Sequence, residues 1–199
     1  MKLKEEQVSA EYVFRGKIIN VRCDKAKIFD GRIVDREVVE HPGGVGIALE
    51  DDEGRFFMVT QYRYAQEQIM LEYPAGKKEK GEDPLTTAKR EIVEETGYEG
   101  RDFVYLGNMV PTPAYDTEVI ELYYARTGKY IGQHLDDDES IRLSRLTLDE
   151  ITEKIVKGEI NDAKTMGMTF LIKEFKELPA AEIKSAVQAA WKELEQTRL

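Results

Sequence analysis

The sequence predicts an α/β protein in which a mixed β-sheet is sandwiched between helices and is preceded by a small antiparallel β subdomain. Three observations lead to this prediction. Alternating runs typical of strands fill most of residues 11–76, and one acidic helix interrupts the strands at residues 83–97. The remaining helical patterns gather after residue 145. Strands that flank a helix, with further helices at one end of the chain, favour a layered arrangement of this kind.

Residues 11–39 are predicted to form the small antiparallel subdomain. Asp30-Gly31 lies between two alternating runs, which is a strong signal for a hairpin. We expect strands near residues 11–15, 18–28 and 33–40. The loop His41-Pro42-Gly43-Gly44 ends this part of the chain. The sequence therefore predicts an N-terminal β subdomain over residues 1–41 and a main domain over residues 42–178.

The main domain begins with strands and ends with helices. We expect strands at 45–54, 55–64, 69–76, 101–110, 119–128 and 140–146, and helices at 83–97, 146–158 and 162–178. A last amphipathic helix, over residues 179–199, places one apolar stripe on one face: Ile183, Val187, Trp191 and Leu194. Such a face must dock on its own domain or on a partner subunit.

The helix at 83–97 has clear start and stop signals. Asp83 suits the N-cap because its carboxylate can accept hydrogen bonds from free backbone N–H groups. Pro84 suits the first helical position because it has no N–H that would be left unpaired there. Gly97 can close the helix in a left-handed conformation. The positions Leu85, Ala88 and Ile92 recur at helical spacing and predict the face that packs on the core.

Three carboxylates crowd onto a neighbouring face of the same helix. Glu91, Glu94 and Glu95 stand at i, i+3 and i+4, and a fourth acid, Glu82, precedes the helix. Like charges at this spacing destabilise a bare helix by a few tenths of a kcal/mol per pair. Converging carboxylates suit a hard cation that takes oxygen ligands, Mg²⁺ or Mn²⁺. From these glutamates alone, an exposed acidic face is an equally good interpretation.

The wider pattern resembles the Nudix box. Gly76 is followed after five residues by Glu82, and after seven more by Arg90-Glu91-Ile92-Val93-Glu94-Glu95-Thr96-Gly97-Tyr98. Only Tyr98 departs from the pattern, which usually has an aliphatic residue there. The resemblance implies hydrolysis of a diphosphate linked to a nucleoside, with a metal ion held by the box glutamates. It also implies that Gly76, Glu82, Arg90 and Gly97 are structural, with Arg90 bracing the carboxylates.

From about residue 10 to residue 178, the chain is similar to the ADP-ribose pyrophosphatase branch of that family. VDREVVE (34–40) and QYRY (61–64) resemble segments whose arginines reach the substrate, here Arg36 and Arg63. LEYPAG (71–76) resembles the lead-in to the box, where Glu72 lies near substrate and metal and the Ala75 carbonyl ligates metal.

A fourth match to this branch follows the box. TPAYDTE (112–118) resembles a loop whose final glutamate, here Glu118, is the expected catalytic base. Pro113 stands at the position that marks ADP-ribose hydrolases, whereas Ala114 replaces the usual Gly, which leaves the sugar preference open. Glu118 and Glu94 are thus the expected catalytic residues, and Ala75, Glu91, Glu94 and Glu95 the expected metal ligands.

Each of these assignments has an alternative. Arg36 and Arg63 in so acidic a chain could instead pair with surface acids, and Glu118 could simply be exposed. The substrate could be another nucleotide sugar such as GDP-mannose. A non-catalytic ADP-ribose sensor is a further alternative, although such modules typically lose box glutamates and this sequence keeps them.

Charge and composition exclude several other classes of partner. The formal net charge of −10 argues against nucleic acid and against an anionic membrane. A small phosphorylated substrate remains compatible, because divalent cations invert the local charge. The single cysteine, Cys23, fits a reducing compartment, and neither a signal peptide nor a membrane span is recognisable, so we expect a cytoplasmic protein. The family resemblance also implies a homodimer, in which the early strands complete the partner's substrate pocket.

Overall fold

The computed structural model describes residues 3–135 and 140–177 of the 199-residue chain. The predicted helix over 179–199 lies outside the described residues. The described residues form two compact units. The smaller unit contains the described residues up to Gly43 together with Val110–Val119, and the larger unit contains Gly44–Met109 and the described residues from Ile120 onward.

The smaller unit is built on a three-stranded antiparallel sheet in the order β1-β2-β3. Its strands are β1 (Glu6–Arg15), β2 (Asn20–Lys27) and β3 (Ile33–Glu40). The first strand starts five residues earlier than the sequence predicts, because its pairing with β2 continues to Glu6 opposite Lys27. The segment Tyr115–Thr117 runs beside β3, where the Val39 N–H donates to the Tyr115 carbonyl at 2.7 Å and the Val39 carbonyl accepts the Thr117 N–H at 3.0 Å.

The larger unit contains a mixed seven-stranded sheet with the main order β10-β5-β4-β9-β8, in which β6 also pairs with β5 and β7 with β4. The strands are β4 (Gly44–Glu50), β5 (Arg55–Arg63), β6 (Gln68–Glu72), β7 (Ala75–Lys77), β8 (Tyr98–Met109), β9 (Ile120–Tyr130) and β10 (Ile141–Thr147). The helices are α1 (Pro84–Thr96), α2 (Leu148–Val156) and α3 (Ala163–Glu177). Strands β4 and β9 are parallel and the other pairs are antiparallel.

Both faces of this sheet carry an apolar core, because side chains alternate between the two faces of a strand. On β4, Ile47 and Leu49 pack with Ala88 and Ile92 of α1. Ala48 of the same strand belongs to the opposite core, which is completed by residues of α2 and α3: Ile151, Met168 and Ile172. The predicted mixed sheet between helices, with a small antiparallel sheet before it, is confirmed.

The single strand predicted over residues 69–76 is two strands. The chain leaves β6 after Glu72 and enters β7 at Ala75. At the break, the Pro74 carbonyl accepts the Ile47 N–H at 2.8 Å. Pro74 cannot donate a ladder hydrogen bond, so a continuous central strand is not available to this segment. The break carries the chain from the β5 edge to β4 and brings residues 75–77 beside that strand.

None of the helices in the described part of the chain is both long and apolar enough to span a membrane.

Candidate active site

Helix α1 is oriented by its apolar side. Asp83 caps the helix by accepting the Thr86 N–H at 3.1 Å, and Gly97 ends it with a φ of 77°. Ala88 and Ile92 are fully buried against the sheet, and Leu85 packs on the same core. The burial of this stripe fixes the rotation of the helix about its axis, so the glutamate-bearing face is held in one direction.

The guanidinium group of Arg90 holds three carboxylates together. Its Nε and Nη2 donate to the two oxygens of Glu82 at 3.1 and 3.0 Å. Its Nη1 donates to Glu91 Oε1 at 2.9 Å and to Glu94 Oε2 at 2.8 Å. A bidentate pair of this kind is both directional and charge-assisted. The positive charge of Arg90 therefore offsets the mutual repulsion that the spacing of the glutamates imposes.

These contacts shift the pKa values of the groups involved. The hydrogen bonds from Arg90 lower the pKa of Glu82 to about 2, helped by hydrogen bonds from the Glu79 N–H and the Thr87 hydroxyl. Hydrogen bonding to Glu82, together with the charge of Glu91, raises the pKa of Arg90. Glu82 and Arg90 thus stay ionised as a pair throughout the neutral range.

The carboxylates of α1 face the turn between β6 and α1. Glu95 is buried, and its Oε2 accepts the Ala75 N–H at 3.0 Å. The carboxyl group of Glu91 lies directly over Gly76, because a Cβ built on that glycine would stand 1.8 Å from the Glu91 carboxyl carbon. Only glycine leaves room for this carboxylate, which gives Gly76 a steric reason to occupy its position.

The donors around this turn suit a hard divalent cation. Glu91, Glu94 and Glu95 could supply carboxylate oxygens, and the Ala75 backbone on strand β7 could supply a carbonyl. Oxygen donors of these two kinds are the usual ligands of Mg²⁺ and Mn²⁺. Within the described residues, no three acidic, His or Cys side chains already stand in metal-binding geometry. Arg90 occupies one oxygen each of Glu91 and Glu94, and an ion would compete with it for these carboxylates.

Arg63 and Glu72, both predicted to lie near the substrate, form a direct pair in the larger unit. Arg63 Nε and Nη2 donate to Glu72 Oε1 and Oε2, each at 2.7 Å. The Glu72 side chain is only 3% exposed, whereas that of Arg63 is 40% exposed. Hydrogen bonding to Glu72 raises the pKa of Arg63. Arg63 therefore does pair with an acid, but with a buried one, and its own side chain is still partly exposed.

Arg36 and Glu118 belong to the smaller unit. Arg36 donates to both oxygens of Glu5, at 3.0 and 2.8 Å, and so adopts the surface pairing that the sequence left open. Glu118 Oε1 lies 3.4 Å from His41 Nδ1, and the Glu118 N–H donates to Asp116 Oδ1 at 2.9 Å. Their expected roles toward substrate remain predictions.

Sequence reasoning missed three residues at the start of α3. Lys164 and Thr165 bind the Tyr73 backbone, next to Glu72, and Asp162 contacts both of these side chains. One signal was available in the sequence. Lys164 stands four and eight residues before Met168 and Ile172, which places a lysine in line with the apolar stripe of a helix.

Comparison with known proteins assigns the chain to a family. Residues 40–166, more than half of the chain, match the family model described as NUDIX domain. The chain belongs to the Nudix family. The resemblance carried by the box is thereby confirmed, and Nudix hydrolases generally use divalent metal cations.

Two Nudix relatives and one solved structure are similar over most of the chain. A methanol dehydrogenase activator of Bacillus methanolicus is 39% identical over 82% of this chain and 89% of its own length. An ADP-ribose pyrophosphatase of Bacillus subtilis (strain 168) is 34% identical over the same shares of the two chains. A crystal structure of an ADP compounds hydrolase, 21% identical, superposes with a TM-score of 0.77 and covers 86% of this chain and 94% of the other. This last likeness supports the fold.

The low pKa of Glu82 predicts a pH-dependent contribution to stability. A carboxyl group whose pKa falls from 4.5 to about 2 on folding stabilises the folded state above pH 4.5, and this contribution disappears as the pH falls through the window between those values. Between about pH 6 and about pH 3, the free energy of unfolding of the wild type should fall further than that of Glu82→Gln, by on the order of 1 kcal/mol because solvent screens part of the pair. Urea denaturation at the two pH values measures the difference, and equal falls would contradict the assignment.

Proposed function

We propose that this Nudix protein hydrolyses the diphosphate bond of a nucleoside diphosphate sugar, with ADP-ribose giving AMP and ribose 5-phosphate. The observation that carries the proposal is the α1 face, where Arg90 gathers carboxylates beside the turn at Ala75 and Gly76. A relative named ADP-ribose pyrophosphatase, 34% identical over most of both chains, supports the choice of substrate. Mg²⁺ is the proposed ion, with Mn²⁺ as a substitute, and the cytoplasm is the proposed compartment.

The proposed ligands are the carboxylates of Glu91, Glu94 and Glu95 and the carbonyl of Ala75. A bound divalent ion supplies neutralisation of diphosphate charge and a coordinated water of lowered pKa. The protein contributes the positioning. Arg90 holds Glu91 and Glu94 close together, and the Ala75 N–H orients Glu95. Preorganised charges of this kind are the main contribution a protein makes to phosphoryl transfer.

Arginines and two further glutamates are proposed to act on the substrate. Two hydrogen bonds to Glu72 fix the orientation of the Arg63 guanidinium. The N–H groups of a guanidinium match the spacing of phosphate oxygens. Arg36 and Glu72 are the other proposed substrate contacts. Glu118 is the proposed base, which takes the proton from the attacking water. Its place in the loop that also holds Pro113 supports this role.

Two other functions remain as alternatives to ADP-ribose hydrolysis. A different nucleotide sugar, such as GDP-mannose, would use the same metal and the same α1 face. A sensor that binds ADP-ribose without cleaving it would not need the box glutamates, and this chain keeps Glu91, Glu94 and Glu95. The retained glutamates favour an enzyme.

Turnover across a panel of nucleotide sugars separates these three functions. With saturating Mg²⁺, the protein is expected to release AMP and ribose 5-phosphate from ADP-ribose, read as inorganic phosphate after a phosphatase is added. Preference for GDP-mannose would identify the first alternative, and binding of ADP-ribose without turnover would identify the sensor. Glu95→Gln is the matched control, because it keeps the size of the side chain and removes one ligand charge. Near wild-type turnover of this variant would show that the metal ligands are wrongly assigned.

The proposed base predicts a second kinetic outcome. Glu118→Gln should lower kcat by ~10²-fold or more, the scale for removing a positioned proton acceptor. Glu153→Gln makes the same chemical change at an exposed position on α2 and should leave kcat unchanged. Equal kcat values of the two variants would show that Glu118 is not the catalytic base.

We also propose that the protein is a homodimer that assembles through the small antiparallel sheet. Strand β1 is exposed along its whole length. It carries Val8, Val13 and Phe14, each more than half exposed, and Ile33 on β3 is equally exposed. Apolar side chains collected on one small sheet are typical of a surface that a partner covers.

Light scattering coupled to gel filtration tests this assembly. The wild type is expected to elute with twice the mass of the chain, and the double change Val13→Lys and Phe14→Lys should shift it toward the mass of the monomer. Val156→Lys introduces a charge at an apolar side chain of α2 that is 82% exposed, and should leave the mass unchanged. A wild-type protein that is monomeric at micromolar concentration would refute the proposal.

A further inference from the structure

A buried ammonium group lies beside the Arg63–Glu72 pair. Lys164, the second residue of α3, is 4% exposed. Its Nζ donates to the Tyr73 carbonyl at 3.1 Å, and it lies 3.1 Å from Asp162 Oδ2 and 3.4 Å from Glu72 Oε2. Lysine is seldom buried unless it is paired, and burial of its charge needs compensation of this kind.

Packing fixes the position of this ammonium group. The Lys164 side chain passes so close to Gly46 on β4 that a Cβ on the glycine would stand 3.0 Å from Lys164 Cδ. The aliphatic stem is therefore part of the core, and only the charged end meets the polar groups. A Lys164→Met substitution keeps an unbranched apolar side chain of similar volume and removes the charge.

The first turn of α3 also binds both backbone polar groups of Tyr73. The Tyr73 N–H donates to Thr165 Oγ1 at 3.1 Å, and the Tyr73 carbonyl accepts from Lys164. The Thr165 hydroxyl in turn donates to Asp162 Oδ2 at 2.6 Å. The chain next to Glu72 is thus held by helix α3, and the position of the Glu72 backbone depends on these residues.

Two cations share the carboxylate of Glu72. Arg63 Nη2 donates to Oε2 at 2.7 Å, and Lys164 Nζ lies 3.4 Å from the same oxygen. Because Lys164 compensates part of the charge of Glu72, the positive charge of Arg63 is less completely neutralised. Glu72 accepts one hydrogen bond each from Nε and Nη2 of Arg63, so the guanidinium keeps further N–H groups that an anionic ligand could use.

We propose that Lys164 is a positioning residue for substrate binding, which fixes Glu72 and thereby the orientation and charge that Arg63 offers to the substrate diphosphate. The proposal rests on the proposed function, since it concerns the same substrate. Lys164 itself does not touch substrate. Its removal should therefore weaken substrate binding more than it slows the chemical step.

Steady-state kinetics with ADP-ribose and Mg²⁺ test the proposal. Lys164→Met should raise KM by about tenfold while kcat stays within about threefold of the wild type. Lys164→Gln removes the charge but keeps an N–H donor for the Tyr73 carbonyl, and it should show the same rise in KM. It provides the measurement if the methionine variant does not fold. Unchanged KM in a folded variant would overturn the proposal.

A matched control separates positioning from general destabilisation. Ile172→Val removes one methylene group from the buried face of the same helix and should lower the midpoint of urea unfolding, because it leaves a small cavity. Its KM should equal that of the wild type. If Ile172→Val raises KM as much as Lys164→Met does, the effect of Lys164 is structural and the proposal is wrong.

A double-mutant cycle tests the route through Arg63. Arg63→Gln alone should raise KM, and adding Lys164→Met to it should change KM by less than about twofold, because the group through which Lys164 acts is already gone. Fully multiplicative effects of the two changes would overturn the proposal while leaving ADP-ribose hydrolysis intact. A wild-type protein that neither binds nor hydrolyses ADP-ribose would instead refute the proposed function, and this inference with it.

Discussion

The candidate active site depends on the contact between one guanidinium and three carboxylates. Glu91 and Glu94 lie on one side of a short helix, with Glu82 just before it, and without Arg90 their charges would repel one another. The positive charge of Arg90 offsets this repulsion, and its hydrogen bonds hold the three carboxylates close together. A divalent ion that binds Glu91 and Glu94 would compete with Arg90 for their oxygens.

The rest of the larger unit holds that helix face in place. Two apolar cores, one on each side of the sheet, fix α1 on one face and α2 and α3 on the other. The break at Pro74 brings the Ala75 N–H to Glu95, and Gly76 leaves space for the Glu91 carboxylate. From the opposite side, the first turn of α3 holds Tyr73. One short segment, residues 72–76, is thus bound by a helix from each face of the sheet.

Local patterns were enough to predict α1, because its caps, apolar stripe and acidic spacing are all short-range features. The bounds of the helix, its cap at Asp83 and its end at Gly97 follow the sequence closely. The partners of Arg63 and Lys164 could not be predicted, because they depend on contacts between residues 63, 72 and 164, which only the fold brings together. The division of the predicted strand at Pro74 was missed for a similar reason. A hydrophobic run does not reveal which neighbouring strand each half will join.

Anomalous diffraction from crystals grown with Mn²⁺ tests the central claim most directly. The account predicts an anomalous peak at about 2.0–2.6 Å from carboxylate oxygens of Glu91, Glu94 or Glu95 and from the Ala75 carbonyl, with Arg90 still bonded to Glu82. Crystals of the Glu95→Gln variant, grown with Mn²⁺ in the same way, should show a weaker anomalous peak at this position. A map in which Mn²⁺ binds elsewhere on the protein, and in which Glu91 and Glu94 keep their bonds to Arg90 and Glu95 its bond to the Ala75 N–H, would contradict this metal site.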